Sequence, residues 1–85
     1  MYYVYILQCT DGSLYTGVTT DLKRRFEEHK RGVGGNYTHS RTVKKIVHSE
    51  KALNRGAAQK REAEIKSWPR QKKLRLTRQK QTGVR

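Results

Sequence analysis

Residues 21–30 carry an arginine and a histidine at a spacing that could support anion binding and proton exchange. The spacing i, i+3, i+4 and i+7 places two apolar and two polar side chains along one stripe of a helix: Leu22, Arg25, Phe26 and His29. Because Leu22 and Phe26 must face the core, Arg25 and His29 lie on or beside the inward face. Packing explains either polar residue alone, as an arginine stem on the core or a structural imidazole. The two together indicate a functional site as readily as a structural one.

A second predicted helix, residues 51–67, offers carboxylates whose role periodicity does not decide. Glu62 and Glu64 fall at opposite borders of its apolar stripe. For either one alone, the default interpretation is an exposed ion pair four residues away, Glu62 with Lys66 or Glu64 with Lys60. The pattern therefore leaves both glutamates open, as site residues or as ordinary salt-bridge partners.

The N-terminal residues concentrate tyrosine in a predicted β-hairpin. Residues 2–9 and 14–19 are rich in β-branched and aromatic side chains, and Asp11-Gly12 between them is a strong turn signal. Four of the five tyrosines lie here: Tyr2, Tyr3, Tyr5 and Tyr15. Gly17 inside the second strand indicates that another group approaches the backbone closely there.

The remaining pattern completes an α+β domain of ββα-β-αα order, with three strands and flanking helices. Thr20 or Asp21 caps a helix to about Lys30, and Gly32 ends it before a glycine-rich loop over residues 32–40. The later elements are a strand from Val43 to Ser49, a helix from Lys51 to Ser67, and a basic helix from Pro69 to about Arg78. We predict one domain over residues 1–78 and a frayed basic tail over residues 79–85.

The charge of the chain indicates a polyanionic partner. Its 85 residues include 20 Lys+Arg and 7 Asp+Glu, a net charge of +13, and residues 1–20 contain no Lys or Arg. A chain this short builds one thin core, which excludes a multi-domain enzyme around a deep cofactor pocket. Nucleic acid is favoured over anionic lipid, because the basic C-terminal stretch lacks a substantial apolar face.

The cysteine count and the hydropathy of the chain exclude further classes of protein. Cys9 is the one cysteine, so there is no internal disulfide and no multi-cysteine zinc site. It alternates with Leu7 in an apolar strand, which favours a small buried residue over a nucleophile. No segment approaches the ~20 apolar residues of a membrane span, and the apolar run Tyr2–Leu7 lacks the basic flank of a secretory signal. We therefore expect a soluble, cytoplasmic protein with no membrane partner.

Taken together, these residues resemble the GIY-YIG nuclease superfamily, and in particular its small stand-alone bacterial branch. The resemblance covers roughly residues 2–76 and extends to the catalytic domain of nucleotide excision repair and homing endonucleases. It rests on Val4-Tyr5-Ile6, Tyr15-Thr16-Gly17, Arg25, His29 and the Arg61-Glu62-x-x-Ile65-Lys66 context. It implies a three-stranded antiparallel sheet with flanking helices, and divalent-metal-dependent cleavage of phosphodiester bonds in DNA.

The resemblance also implies the site residues. The catalytic set would be Tyr5, Tyr15, Arg25, His29 and Glu62. Gly17 would shape the site, and Glu62 rather than Glu64 would be the metal ligand. Val4 and Thr16 replace the namesake glycine and isoleucine, which is chemically mild. A late asparagine found in some relatives has no counterpart, because Asn36 and Asn54 both precede Glu62.

This chemistry is consistent with the residue types. Glu62 can hold Mg²⁺ or Mn²⁺, with water and phosphate completing the coordination shell. Arg25 can bind the phosphate bidentately, and Arg25 and the metal would favour the phenolate of Tyr5, which then deprotonates or aligns the attacking water. Tyr15 and His29 would support Tyr5 in this role, and the two tyrosines could exchange roles.

A shared site demands that both tyrosines lie on one face of the sheet. A two-residue loop at Asp11-Gly12 would place Tyr5 and Tyr15 on opposite faces. A three-residue or bulged turn, pairing Cys9 with Tyr15, would place them together. We therefore predict the longer turn.

The leading hypothesis is a metal-dependent endonuclease of low sequence specificity, with an activity that could be weak, acting in a process such as DNA repair. The alternative is a non-catalytic nucleic-acid-binding or repair-adaptor protein on the same fold, since the charge fits both. Seven further residues are predicted nucleic-acid contacts: Lys23, Arg24, Tyr37, Lys66, Arg70, Lys72 and Lys73.

Overall fold

A computed structural model describes residues 1–31 and 43–84, without the side chains of 78–84. The described elements are β1 (Tyr2–Cys9), β2 (Leu14–Thr19), α1 (Leu22–Lys30), β3 (Val43–Ala52), α2 (Arg55–Lys66) and α3 (Arg70–Val84). The strands form an antiparallel sheet of order β2-β1-β3, so β1 is central and β2 lies at an edge. The predicted α+β class is confirmed. The predicted glycine-rich loop, with Gly32 and Tyr37, lies outside the described residues.

The turn between β1 and β2 spans three residues, Thr10–Gly12. The Cys9 N–H donates to the Ser13 carbonyl and the Gly12 N–H donates to the Cys9 carbonyl, both at 2.9 Å. Gly12 has φ +88°, a left-handed conformation that glycine adopts without steric cost. This combination, a turn closed by a left-handed glycine, is common in three-residue hairpin loops.

The longer turn is confirmed, but its position is one residue earlier than predicted. Tyr15 pairs with Leu7 rather than with Cys9. The consequence is unchanged, because Leu7 and Cys9 lie on the same face of β1. Tyr5 and Tyr15 therefore share one face of the sheet.

The central strand is covered on both faces, which explains its nearly continuous apolar sequence. On one face, Val4 and Ile6 pack with Ala58 and Ile65 of α2. On the other face, Tyr5 and Leu7 pack with the half-buried side chains of α1 and its neighbours: Tyr15, Leu22, Phe26 and Ile46. Helices α1 and α2 consequently lie on opposite faces of the sheet.

The boundary between β3 and α2 differs from the prediction. The strand runs to Ala52 rather than Ser49, because it keeps pairing with β1 as far as Tyr2. The helix begins at Arg55 rather than Lys51, after Asn54, whose side-chain oxygen accepts the Ala57 N–H at 2.8 Å. Tertiary pairing thus extends the strand over residues whose composition alone favours helix.

Helix α3 is longer than predicted. It follows Pro69, whose carbonyl accepts the N–H groups of Lys72 and Lys73 at 3.0 and 3.2 Å. It runs to Val84 rather than to about Arg78, consistent with the good helix formers Gln, Lys and Arg in that stretch. The domain boundary at residue 78 stays a prediction. None of the helices in the described residues is long and apolar enough to cross a membrane.

Helix α2 is fixed to β3 by a carboxylate that the prediction missed. Glu50 accepts hydrogen bonds from Arg61 Nε at 2.8 Å and from His48 Nε2 at 2.6 Å. Burial alone would raise the pKa of Glu50, but these hydrogen bonds outweigh it and lower the pKa below its ordinary value. Arg61 also contacts Glu64 at 2.9 Å. Glu50 is therefore ionised in the folded protein and anchors the helix that carries Glu62.

This anchor predicts a pH-dependent stability. Because folding lowers the pKa of Glu50, its contribution is complete above the unfolded value of about 4.3 and is lost as pH falls through the folded value. Glu50→Gln should lower the free energy of unfolding at neutral pH by about 1–2 kcal/mol. The difference from wild type should shrink as the pH falls below the unfolded value and vanish only below the lowered pKa of the folded state.

Urea denaturation across this pH range measures the effect. The control is Glu27→Gln, since Glu27 is exposed on α1. A Glu50→Gln deficit that is the same at both ends of the range contradicts the assignment.

Candidate functional site

The stripe predicted on α1 points inward. The helix begins after Asp21, whose carboxylate accepts the Arg24 N–H at 3.0 Å. One turn later the Arg25 side chain is half-buried, and His29 is 1% exposed. The prediction that both lie on or beside the core-facing side is confirmed.

Both residues converge on the hydroxyl of Tyr5. Tyr5 Oη lies 2.9 Å from His29 Nε2, and Arg25 Nε donates to the same oxygen at 3.4 Å. Burial lowers the pKa of His29 below its ordinary value, and the Arg25 charge lowers it further. When the neutral imidazole carries its proton on Nδ1, Nε2 accepts and the Tyr5 O–H donates to His29.

Tyr5 is protonated in the protein alone. Burial raises the pKa of Tyr5 above its ordinary value, and the opposing hydrogen bond from Arg25 is the smaller effect. The charges of Tyr15 and Glu62 raise it as well. Arg25 therefore acts in the predicted direction without making Tyr5 a phenolate. Tyr5 is 1% exposed, which explains why burial affects its pKa more than the hydrogen bond from Arg25 does.

Gly17 is the cross-strand partner of Tyr5 and makes room for its ring. A Cβ at Gly17 would lie 2.5 Å from Tyr5 Oη, 2.7 Å from Cζ and 3.1 Å from Tyr15 Cε2. The first two distances are shorter than any real Cβ contact, and Tyr5 is held by His29 and Arg25. The close approach predicted from a glycine within a strand is thus the Tyr5 side chain itself.

A cavity of about 430 Å³ opens at the β2 edge of the sheet, between α1 and α2. Six residues that the sequence singled out line it: Tyr5, Tyr15, Gly17, Arg24, Arg25 and Glu62. His29 lies behind them, with its ring 5.9 Å from that of Tyr5 and 5.2 Å from that of Tyr15. Within the described residues, His29 is linked to the cavity wall by its hydrogen bond with the Tyr5 hydroxyl.

The structure separates the two glutamates that periodicity left open. Glu62 lines the cavity, and Lys66 Nζ contacts its Oε2 at 3.1 Å. Glu64 is 55% exposed and pairs with Arg61 rather than with the predicted Lys60. Of the two, only Glu62 shares the cavity with Tyr5.

Sequence reasoning missed one wall of the cavity. Arg55, Gln59 and Glu62 occur at i, i+4 and i+7 on α2, and all three line it. This spacing also lies within the predicted helix and was the available signal. The other additional lining residues are Tyr2, Val18, Thr19 and Thr20.

Among the predicted nucleic-acid contacts, only Arg24 lines the cavity in the described part of the chain. Lys66 is paired with Glu62, and Arg70 donates to the Gly12 carbonyl at 2.6 Å, bracing the hairpin turn. Lys72 Nζ lies 4.3 Å from the centre of the Trp68 ring. Lys23 borders an apolar surface on α1, and Lys73 is half-buried.

Comparison with known proteins agrees with this geometry. The sequence model of the GIY-YIG catalytic domain matches residues 1–75. The chain belongs to the GIY-YIG family. It is 53% identical over 75 residues to a UPF0213 protein of Haloquadratum walsbyi, covering 88% of this chain and 84% of that one. It is 47% identical over 79 residues to a UPF0213 protein of Staphylococcus aureus, covering 93% and 96%.

A solved structure supports the same fold for this GIY-YIG domain. The solution NMR structure of a UPF0213 protein of Bacillus halodurans is similar with a TM-score of 0.60 and 42% identity, covering 94% of this chain and 86% of that one. The relatives come from archaea as well as bacteria, so the family is broader than the bacterial branch that the sequence suggested.

The donor set of this GIY-YIG domain is compatible with a hard divalent ion. The described residues contain no group of three or more His, Cys, Asp or Glu side chains that could hold a metal. Mg²⁺, however, usually keeps several waters and uses only one or two carboxylates together with substrate phosphate. Glu62 supplies one carboxylate on the cavity wall. Its partner Lys66 is half-exposed and can move away at little cost.

Proposed function

We propose that this chain is a divalent-metal-dependent endonuclease that hydrolyses phosphodiester bonds in DNA in the cytoplasm, with low sequence specificity. One observation carries the proposal. The Tyr5 hydroxyl is held between His29 and Arg25 at the wall of a cavity that also contains Glu62. A surface that only binds phosphate has no use for a carboxylate there, nor for a tyrosine hydroxyl backed by a buried neutral histidine.

Arg25 binds the reacting phosphate. Its guanidinium borders the cavity and contacts both Tyr5 Oη and Glu28 Oε1, the latter at 3.0 Å. These contacts orient it before substrate arrives, so that charge developing on the phosphate oxygens meets a preorganised cation. Because Arg25 also touches Tyr5, it brings the phosphate next to that hydroxyl.

Tyr5 and His29 move the proton of the attacking water. The water proton passes to Tyr5 Oη while the phenolic proton passes to His29 Nε2, so a free phenolate is never required. The water oxygen bonds to phosphorus, the bond to the leaving sugar oxygen breaks, and that oxygen takes a proton from solvent. General acid–base catalysis of this type contributes about 10²–10⁴-fold to a rate.

Glu62 would hold the metal ion, Mg²⁺ or Mn²⁺. When bound, the ion supplies electrostatic stabilisation of the charge that develops on the phosphate and leaving oxygens. Arg24 on the cavity rim adds positive charge without base-specific geometry. Contacts to phosphate position a nucleic acid without reading its sequence, which supports low specificity.

Nicking of supercoiled plasmid by the purified protein tests this function. We expect open-circular product with Mg²⁺ or Mn²⁺, none with excess EDTA, and recovery when the metal is restored. Salt-dependent binding without nicking under any of these conditions would instead support the non-catalytic DNA-binding alternative.

The proton relay from water through Tyr5 to His29 also predicts how the cleavage rate falls at acid pH. His29 must be neutral to accept the Tyr5 proton, and burial lowers its pKa below the ordinary value of about 6.5. The single-turnover rate should be flat near pH 7 and fall only below about pH 6.5, as His29 becomes protonated. The check is the rate profile of wild type. An acid limb centred above pH 7 contradicts the relay.

A further inference from the structure

Arg55 is the cavity arginine whose role the contacts within the protein explain least. Three described arginines line it: Arg24, Arg25 and Arg55. Arg24 and Arg25 both contact Glu28, at 4.0 and 3.0 Å. Arg55 is exposed and makes no ion pair or side-chain hydrogen bond with any described residue. The described part of the chain therefore leaves its five N–H donors available at the cavity wall.

The position of Arg55 also works against a structural role. It is the first residue of α2, and the first turn of that helix contains no acidic residue. A cation at a helix N-terminus is repelled by the helix dipole, so this placement costs stability rather than adding it. Packing and capping do not account for the residue, since Asn54 already caps the helix.

The helix sets the distance between Arg55 and the reaction centre. Arg55 precedes Glu62 by seven residues, which is about 10 Å along a helix axis at 1.5 Å per residue. Phosphates of one duplex strand advance by about 3.4 Å each along the axis. This distance exceeds the axial rise between neighbouring phosphates, so Arg55 can meet a phosphate other than the one at Glu62.

We propose that Arg55 is a substrate-positioning residue, which binds a phosphate of the DNA strand other than the one being cleaved. This inference rests on the proposed function for what is positioned. It adds that α2 contributes a DNA-binding residue as well as the Glu62 carboxylate. Arg55 thus governs how tightly and in what orientation the strand lies in the cavity, and the chemical step does not depend on it.

The test compares Arg55→Gln with Lys60→Gln. Lys60 is also exposed on α2 but does not line the cavity, so it matches the charge change without the position. Binding to a fluorescein-labelled DNA duplex is measured over a series of salt concentrations. Single-turnover cleavage is measured against protein concentration, and thermal unfolding checks the fold.

For Arg55→Gln, we expect the half-saturating concentration to rise about 10-fold, as for loss of one charge-assisted contact. The maximal rate should stay within about twofold, as expected for a lost binding contact. The slope of log K against log salt should fall by about 0.9, the value for one phosphate contact. Lys60→Gln should change none of these quantities, and the melting temperature of Arg55→Gln should be unchanged or higher.

Equal behaviour of the two variants overturns the proposal, as does a lower maximal rate with unchanged half-saturation. If wild type binds DNA but does not cleave it, the proposed nuclease function fails by itself. The salt slope then still decides whether Arg55 is a DNA contact. The two failures are therefore distinguishable.

Discussion

Tyr5→Phe is expected to lower the metal-dependent cleavage rate by about 10²–10³-fold, in the range of a lost general base. The substitution keeps the buried ring and removes the oxygen that lies 2.9 Å from His29 Nε2. Without it, the attacking water has no path for its proton to the histidine. Single-turnover cleavage at saturating protein measures the change in the chemical step.

The same substitution should destabilise the fold modestly. His29 is almost fully buried and would lose the partner of its Nε2 atom, which costs about 1–2 kcal/mol. Tyr3→Phe is the matched control, because Tyr3 lies two residues earlier on the same face of β1 and does not line the cavity. A folded Tyr5→Phe protein that cleaves as fast as Tyr3→Phe would remove Tyr5 from the mechanism.

Gly17→Ala is expected to be the most disruptive single-atom change in the hairpin. Its Cβ would lie 2.5 Å from Tyr5 Oη, so the Tyr5 ring or the β2 backbone must shift. Overpacking of this type costs about 1–3 kcal/mol, and the shift also breaks the alignment of Tyr5 with His29 and Arg25. Because a misplacement of about 1 Å can cost about 10²-fold in rate, we expect activity to fall by at least that factor.

Gly56→Ala is a control that should change the stability in the opposite direction. A Cβ at Gly56 meets its nearest neighbour, Asn54 Oδ1, at 3.5 Å, an ordinary contact. Replacing an exposed helical glycine with alanine usually stabilises by about 0.4–1 kcal/mol. Urea denaturation and cleavage of both variants measure the contrast. A Gly17→Ala protein with wild-type stability and rate contradicts the described packing of Tyr5 over Gly17.

Local sequence signals predict most of the fold, and tertiary pairing decides the rest. The hairpin follows from two β-rich segments around Asp11-Gly12, and α1 from its stripe and from the Asp21 cap. The end of β3 and the start of α2 could not be placed in the same way. The last residues of β3 pair with Tyr2 and Val4, which lie 50 and 46 positions earlier in the chain, and no local pattern encodes that partner.

Local sequence likewise predicts some residues of the candidate site, while the others depend on tertiary packing. Periodicity identifies Arg25 and His29, because both lie on one helix with the residues that bury it. It cannot choose Glu62 over Glu64, since that choice depends on how α2 packs against the sheet. The protonated state of Tyr5 depends on its burial, which the identity of its neighbours does not reveal. Arg55 lies inside the predicted helix, but no local pattern shows that its side of α2 borders the cavity.

The central claim is that one cavity combines Tyr5, Arg25 and Glu62 into a metal-dependent nuclease. Plasmid nicking by Glu62→Gln and Glu64→Gln, with DNA binding measured in parallel, tests it most directly. The two substitutions remove the same charge from the same helix, but only Glu62 faces the cavity. We predict that Glu64→Gln nicks at close to the wild-type rate. Glu62→Gln should show no metal-dependent nicking and bind DNA at least as tightly as wild type. Nicking by Glu62→Gln at the wild-type rate would contradict the claim.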